Sequence, residues 1–580
     1  MKKSGAEILI ECLKKEGVKH VFGYPGGVVL NIFDILYDEK DIELILTRHE
    51  QGAVHAADGY ARASGKVGVA IVTSGPGATN TVTGIANASM DSTPIVVFSG
   101  QVPTMLIGND AFQEADIVGI TRPCTKHNYL VKDVNDLSKT IREAFHIAST
   151  GRPGPVLIDL PKDVTAGSGE FIWPEEVKIR GYNPTVHGNK YMINQAAQMI
   201  AQAKKPVIMA GGGVILSEAA KELREVAEFA KIPVTMTLMG LGGFPGTSKL
   251  SMGMLGMHGT YYANTAVQNA DLLIGIGVRF DDRVTGRTNA FAPNAKIIQI
   301  DIDPTSIKKN VRVDLPVVGD VKNVLKELLK SMKELKDQQW SAVRTAWLKQ
   351  IEKWKDERPL TYKHDKNIIK PEFVVEKIYE ATRGEAIICT EVGQNQMWAA
   401  QFYKYDHPRR WLSSGGLGTM GYGFPAAIGA QFACPDKIVF DIAGDGSIQM
   451  NIQELATAVI NKLPIKVAIL NNGYLGMVRQ WQELFFKERY SHTHLDAGNP
   501  DFVKVAEAYG AAGLRATKPE EVEPVIKESL KIKNRPVFLD FVVDWKEKVY
   551  PMVPAGAAID EMIFDEEKEA GKEKKLKAVK

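Results

Sequence analysis

"DIAGDGSIQMNIQELATAVINKLPIKVAILNN", residues 441–472, reads as a strand, a crossover and a second strand, with a Gly-Asp-Gly turn after the first strand and an Asn pair closing the second. Apolar Ile448, Ile452, Leu455, Ala456 and Val459 fall at helical spacing, which predicts a crossover helix packed on a sheet. A right-handed crossover between parallel strands returns both strand ends to one edge. Asp445 and Asn472 should therefore converge at the carboxyl edge, where open α/β sheets bind ligands. An acidic oxygen beside an amide oxygen suits Mg²⁺, which also keeps oxygens from a phosphate. Gly444 and Gly446 admit a close backbone approach, and the start of the following helix favours a phosphate. Taken alone, the turn is equally a plain βα connection whose Asp caps the helix.

The same alternation of Val/Ile-rich runs with helix-length segments extends along the chain. It predicts an α/β protein of three doubly wound parallel-sheet domains, at residues 1–170, 190–340 and 366–555, with a C-terminal tail at 556–580. "GSGEFIWPEEVKIRGYNPTVHGN" reads as a strand-poor linker, and the charged run "DEEKEAGKEKKLKAVK" as a solvated tail. A hydrophobic content of 44% is ordinary for packed domains. A net charge of +2 gives no electrostatic case for a nucleic-acid or membrane partner, so small-molecule chemistry is the default. No apolar run reaches the length of about 18 residues that suggests a membrane span. "MKKSGAEILIECLKKEG" reads as a charged amphipathic helix rather than a signal sequence, which points to a cytoplasmic protein. Four cysteines without a C-x-x-C pair read as buried free thiols.

The GDG to NN stretch resembles the diphosphate-binding motif of thiamine diphosphate enzymes. That resemblance makes Asp445 and Asn472 ligands of Mg²⁺, with the Tyr474 main-chain carbonyl as a third, and sets Gly444, Gly446 and Ser447 against the diphosphate. "EVGQNQMWAAQ" is similar to a loop that contacts the phosphates, through Val392, Gly393, Gln394 and Asn395. The family often has His where this chain has Asn395, whose amide could donate in its place. Glu50 in "LILTRHEQGAVHAADGYARASG" matches the acid that activates the aminopyrimidine, and "GYPGG" and "TSGPGATN" accompany it in the pyrimidine-binding domain. On its own Glu50 is an acid at a helix start. Within "SSGGLGTMGYGFPAAIGA", Met420 matches the residue that bends the cofactor and Gly418 the carbonyl that accepts from its amino group. A Met among glycines is otherwise a core plug.

From roughly Lys3 to Ala558 the chain resembles the catalytic subunits of the acetohydroxyacid (acetolactate) synthase family, through "DAFQEADIVGITRPCTKHNYLV", "GVRFDDRVTG" and "GMVRQWQELFFKERYSHT" together with the elements above. The resemblance implies pyruvate decarboxylation on thiamine diphosphate, followed by ligation of the two-carbon unit to pyruvate or 2-oxobutanoate, in branched-chain amino acid biosynthesis. Gln113 and Gly27 would flank the reacting centre, and Trp481 would select the larger second substrate. The competing reading of Trp481 and Phe112 is core packing. "AGGGV" and "GIGVRF" do not complete G-x-G-x-x-G, so by motif the middle block carries only tight turns. By resemblance it binds a structural, non-redox FAD, with Arg152, His258, Gly259, Arg279, Asp301 and Asp320 near it. Asp301 read alone caps the turn before Pro304. The family also implies a homodimer or tetramer with sites at the subunit interface, and a small regulatory subunit in some members. A pyruvate oxidase or 2-oxoacid decarboxylase of the same architecture, and a non-catalytic cofactor-binding regulatory protein, are the alternatives.

Overall fold

The computed structural model describes residues 2–335 and 340–565. The described chain builds three six-stranded sheets in which every pairing is parallel. The first sheet takes His20–Tyr24, Glu43–Leu46, Gly68–Val72, Ile95–Gln101, His127–Leu130 and Val156–Pro161. Numbered along the chain, these lie in the order 2-1-3-4-6-5. The third sheet, Ile387–Thr390, Trp411–Leu412, Val439–Gly444, Lys466–Asn471, Ala512–Ala516 and Val537–Val542, repeats that order. The middle sheet, Pro206–Ala210, Val234–Met236, Ser251–Met254, Leu272–Ile276, Lys296–Asp301 and Leu315–Val318, runs 3-2-1-4-5-6, the order common among dinucleotide-binding sheets.

Ligands of such sheets bind beyond the strand ends where the order reverses. In the first sheet that point lies between strands ending at Tyr24 and Val72, which lead into "GYPGG" and "TSGPGATN". In the third it lies between Thr390 and Gly444, leading into "EVGQN" and "GDGS". In the middle sheet it lies between Ala210 and Ile276, leading into "GGGV" and "GVRF". The glycine-rich turns of all three sheets thus leave at reversal points, while Glu50, Asn472 and the Gly418–Met420 loop follow neighbouring strands.

The chain divides into two compact units. One comprises Met1–Pro184, His364–Ala399 and Arg409–Lys546 and holds the first and third sheets. The other comprises Thr185–Lys363, Ala400–Pro408 and the residues after Lys546, and holds the middle sheet. Inside the first unit, helix Glu50–Ser64 packs on helix Gly423–Ala433. A β-carbon on Gly59 would fall 2.1 Å from the Ala426 carbonyl oxygen, and one on Gly429 1.8 Å from that of Ala56, so each helix needs its glycine at the crossing. The second helix is buried along Gly423–Gln431, as an almost wholly apolar helix must be. It joins the two sheets in one core running from Phe22 and Val97 to Ile469 and Phe538.

Several expectations change. The crossover after Gly444 is not one helix: Asp445–Ile448 is a single turn, Ile452–Glu454 a 3₁₀ turn and Leu455–Ile460 a short helix. Asn451, at the break, spends its amide on the Gly421 carbonyl at 2.6 Å. The linker contains a strand, Ser168–Glu170, paired antiparallel with Lys2–Ser4. The segment after 556 packs as far as 565, with Ile559 buried and Met552 bridged to Ile563, while "KEKKLKAVK" lies outside the described residues. Cys12 and Cys389 are buried free thiols, but Cys124 and Cys434 are only half-buried. Among the described residues no helix is long and apolar enough to cross a membrane.

Candidate active site

Gly444 and Leu470 are register partners on adjacent parallel strands, so Asp445 and Asn472 emerge from the same edge. Asp445 is 1% exposed and its Oδ2 accepts the Asn499 amide at 2.7 Å. Burial pushes this carboxyl up to about 6, against the lowering effects of Asn499 and the main-chain N–H of Asn472. The Asp does not cap the helix: the cap position is Gly444, and no side chain serves it. Asn472 Oδ1 accepts the Tyr474 N–H at 3.0 Å, and its amide nitrogen donates to Gln394 at 3.3 Å. Gln394 in turn donates to Gln480, beside Trp481 on helix Gly476–Phe485. Gly393 and Gly444 both face Asn395 Oδ1, and Ser447 is buried with its hydroxyl on the Gly444 carbonyl. Asn395 donates its amide hydrogens to the carbonyls of Glu391 and Ile442, at 3.1 and 2.8 Å. The expected donation from Asn395 to a phosphate is therefore replaced by two bonds to the main chain. Val392 is half-buried next to Gly393.

A second cluster gathers at the first sheet. Glu50 opens helix Glu50–Ser64, whose cap is His49, and its Oε2 accepts the Asn80 amide at 3.0 Å. The missing β-carbon of Gly77 faces Glu50 Oε1 at 3.2 Å, and Gly75 faces the main chain of Gln113. Thr73 Oγ1 and Ser74 Oγ are buried with no hydrogen-bond partner among the described residues, and Thr73 packs against Gly26 and Gly77. A β-carbon at Gly27, or at Gly418 where φ is +71°, would meet nothing within 4 Å. Gln113 is exposed with φ +58°, and Phe112 is 88% exposed. Trp481 and Met420 are half-buried. Core packing does not account for Phe112.

These features fit thiamine diphosphate and Mg²⁺. The donors around Asp445 are a carboxylate, an amide oxygen and main-chain carbonyls, a hard oxygen set that leaves positions for a diphosphate. Near Glu50, orphaned hydroxyls and open glycine faces mark a polar cradle. Among the described residues no hydrogen bond joins Glu50 to the Asp445 cluster.

In the second unit, Gly211 and Gly213 approach Gly277 so closely that added β-carbons would fall 2.3 and 2.6 Å from its main chain. His258 is buried, its Nδ1 3.2 Å from the Pro551 carbonyl, and burial depresses it to about 4. Gly259 turns against Leu255, and the Arg279 carbonyl accepts from Asn310. Asp301 ends its strand and accepts the Asp303 N–H at 2.9 Å. Asp320 caps helix Val321–Glu334 through Asn323 N–H and accepts the Ser217 hydroxyl on its other oxygen, so both oxygens already carry a structural bond. Arg152 lies in the first unit and donates to Ser92.

Sequence reading missed several buried acids. Glu391 accepts the Gly421 and Phe424 N–H groups at 2.6 and 3.1 Å, and burial lifts it to about 7. Asp441 is fully buried, with both oxygens unpartnered among the described residues; burial and then the charge of Glu391 push its carboxyl well up. Asn499 and Asp496, from "HTHLDAGNP", flank the Asp445 cluster, Asp496 lying against Gly473.

Three family models match the chain: the thiamine pyrophosphate enzyme N-terminal TPP binding domain over residues 3–120, the central domain over 193–328 and the C-terminal TPP binding domain over 391–541. The chain is 51% identical over 574 residues to an acetolactate synthase large subunit of Haemophilus influenzae, covering 98% of this chain and 100% of that one. It is 51% identical over 564 residues to the acetolactate synthase isozyme 3 large subunit of Escherichia coli, covering 96% and 98%. An acetolactate synthase of Mycobacterium leprae is 50% identical over 578 residues, covering 98% and 92%. The chain therefore belongs to the acetolactate synthase large-subunit family of thiamine pyrophosphate enzymes.

Proposed function

We propose that this chain takes CO₂ from pyruvate and adds the remaining two-carbon unit to a second pyruvate, giving 2-acetolactate, or to 2-oxobutanoate, giving 2-aceto-2-hydroxybutyrate. The observation that carries the reading is the buried Asp445 beside Asn472 at one edge of adjacent parallel strands. Asp445, Asn472 and the Tyr474 carbonyl would hold Mg²⁺, and Val392, Gly393, Gln394, Gly444, Gly446 and Ser447 would surround the diphosphate. When bound, thiamine diphosphate supplies the electron sink that makes decarboxylation and carboligation feasible.

The protein's part is to orient, exchange protons and exclude water. Glu50 moves a proton through Oε1, the oxygen that Asn80 leaves free. The Gly418 carbonyl accepts from the aminopyrimidine, and Met420 supports the ring from below. Gln113 and Gly27 flank the reacting carbon. Trp481 and Phe112 face the second substrate, where contact with one extra methyl is worth about 1–3 kcal/mol of selectivity. Carboligation requires that the reacting carbon be kept from water. Phe112 is 88% exposed within one chain, and Glu50 makes no bond to the Asp445 cluster, so we assign the complete site to a homodimer or tetramer with active sites at the subunit interface. The relatives are named large subunits, which favours a small regulatory partner for this chain too.

The middle sheet is assigned a structural FAD, supported by its strand order and the close approach of Gly211, Gly213 and Gly277 at the reversal point. The net reaction transfers no electrons, so this flavin has no redox turn to make. His258, Gly259, Arg279 and Asp301 remain its candidate neighbours. The assignments of Arg152 and Asp320 rest on the resemblance alone. We take residues 1–170, 190–340 and 366–555 as the pyrimidine-binding, FAD-binding and diphosphate-binding domains of a cytoplasmic biosynthetic enzyme.

The test is product analysis with purified protein, pyruvate, Mg²⁺, thiamine diphosphate and FAD, omitting each in turn. Acetoin that appears only after acidification, and only with thiamine diphosphate and Mg²⁺ present, is the expected result. Acetaldehyde, or acetate with peroxide, in place of acetolactate would overturn it.

A further inference from the structure

The loop that carries Gly418 and Met420 has almost no main-chain support of its own. Among the described residues, no N–H group of Gly415 to Met420 donates to a main-chain carbonyl. Buried backbone donors must still find acceptors, so the conformation has to be dictated by side chains. Most of these come from the first sheet's domain. Asp91, whose side chain is 0% exposed, accepts the Gly416 N–H on Oδ1 at 2.7 Å and the Gly415 N–H on Oδ2 at 3.0 Å. Asn87 Oδ1 accepts the Ser414 hydroxyl at 2.6 Å and the Thr419 hydroxyl at 3.3 Å, and the Ser414 oxygen accepts the Thr419 N–H at 2.8 Å.

Arg62 orients both acceptors. Its Nη2 donates to Asp91 at 3.0 Å, its Nε to Asp58 at 2.6 Å and its Nη1 to the Ser413 carbonyl at 2.9 Å. Asp58 receives Asn87 and the Tyr422 hydroxyl in return. A planar guanidinium donating along three directions to buried acceptors fixes geometry as well as charge. Asp58 and Arg62 stand on helix Glu50–Ser64, and Tyr422 closes the loop. Three residues of the loop, Gly415, Gly416 and Thr419, thus offer their N–H groups to a preset template, while the Gly418 β face stays open.

We propose that Asp91, held by Arg62, is a positioning residue of the reaction: it sets the Gly415–Gly416 turn and through it the height and direction of the Gly418 carbonyl and the Met420 side chain. This rests on the reading of Gly418 and Met420 as cofactor contacts. Both Asp91 oxygens are needed, since one accepts from Gly416 alone and the other is shared between Gly415 and Arg62. An amide at this position keeps one acceptor and turns a donor towards groups that are themselves donors.

The test is Asp91→Asn in the full-length protein. Hydrogen exchange of the peptide spanning residues 414–420, measured without cofactor, should speed up at least about tenfold, with helix Gly423–Ala433 still protected. With cofactors added, kcat should fall about 10²-fold, the cost of misplacing a contact by about 1 Å, while the KM for pyruvate changes little. Unchanged exchange at 414–420, or an equal loss of protection across the whole unit, would overturn the role of Asp91. Failure of the underlying reading looks different: Met420→Ala with normal kcat would remove the cofactor role of that side chain and leave the exchange result untouched. If Asp91→Asn does not fold, Ser414→Ala serves instead, because it deletes the Thr419 N–H acceptor without breaking a buried ion pair. The same local gain in exchange and the same kcat loss are expected, and no change in either would overturn the proposal.

Discussion

Glu454 closes the turn that leads into Glu50: its two carboxylate oxygens lie 2.9 and 3.1 Å from the Arg48 N–H, across 406 positions of sequence. The Thr457 hydroxyl donates to Oε2 at 2.7 Å, and Gly52 leaves the space the carboxylate fills. A residue of the diphosphate-binding half thereby fixes the strand-to-helix turn of the pyrimidine-binding half.

Glu454 is fully buried, and burial lifts its carboxyl to about 7 despite the lowering hydrogen bonds from Thr457 and Arg48. An acid raised on folding stabilises the protein fully below its unfolded value, about 4.3, and loses that contribution as pH rises through the folded value. From pH 4.5 to 7 the wild type should therefore lose stability relative to Glu454→Gln, by up to about 1.4 kcal/mol per pH unit. Denaturant titrations of both proteins at pH 5 and pH 7.5 measure the difference, and a constant gap between the two would reject the assignment.

Glu50→Gln retains an acceptor for Asn80 but cannot exchange a proton with the aminopyrimidine. Turnover should drop by about 10²–10⁴-fold, the usual worth of a positioned acid–base group, while thiamine diphosphate still binds. Calorimetric titration of the cofactor beside a steady-state assay separates the two effects. Near-normal turnover would remove Glu50 from the proton path.

Asn499 orients Asp445 from outside the proposed metal ligands, donating at 2.7 Å. Loss of such an outer partner commonly weakens metal binding about 10–100-fold. Asn499→Ala should shift the Mg²⁺ concentration needed for half-maximal cofactor binding by that factor, with the folded secondary structure retained. An unshifted Mg²⁺ titration would mean that Asp445 is held well enough by the Asn472 N–H and its own turn.

The loops at the three reversal points were readable in sequence because their signals are local: a Val/Ile run, then glycines, then a helix-forming segment. The broken crossover was not, because its apolar spacing is compatible with one helix until Asn451 is drawn to the Gly421 carbonyl. Glu391, Glu454 and Asp91 were invisible for the same reason. An acid in sequence reads as solvated, and only the tertiary fold shows that its acceptors serve main-chain N–H groups in another segment. Asp320 is a different kind of miss. An Asp directly before "VKNVLKELL" carries the ordinary helix-start signal, so its capping role was available from the sequence. For Phe112 local character misled in the other direction, since an isolated aromatic suggests a core and this one stands almost fully exposed.

Trp481 sits half-buried on helix Gly476–Phe485, its ring edge-on to Phe485 at 5.4 Å, so the indole is braced by that neighbour. Trp481→Leu should lower the preference for 2-oxobutanoate over pyruvate about tenfold or more, the range that one methyl contact supplies. Competition between the two substrates, with both products quantified, gives the ratio directly. A preserved ratio would return Trp481 to a packing role.

Asp301 separates the flavin reading of the middle sheet from a purely structural one. Its carboxylate stands at the end of the fifth strand and accepts the Asp303 N–H at 2.9 Å. If it also accepts ribose hydroxyls, Asp301→Asn gives up a charged acceptor worth about 1.5–3 kcal/mol, and FAD affinity should fall about 10–150-fold. If it serves only the turn before Pro304, the amide oxygen still accepts from Asp303, stability changes by about 1 kcal/mol or less, and flavin content is unaltered. Flavin absorbance per protein chain after equilibrium dialysis against FAD, read beside a thermal unfolding curve, distinguishes the outcomes. A variant with full flavin content would leave the turn as the sole task of Asp301 and withdraw it from the proposed flavin neighbours.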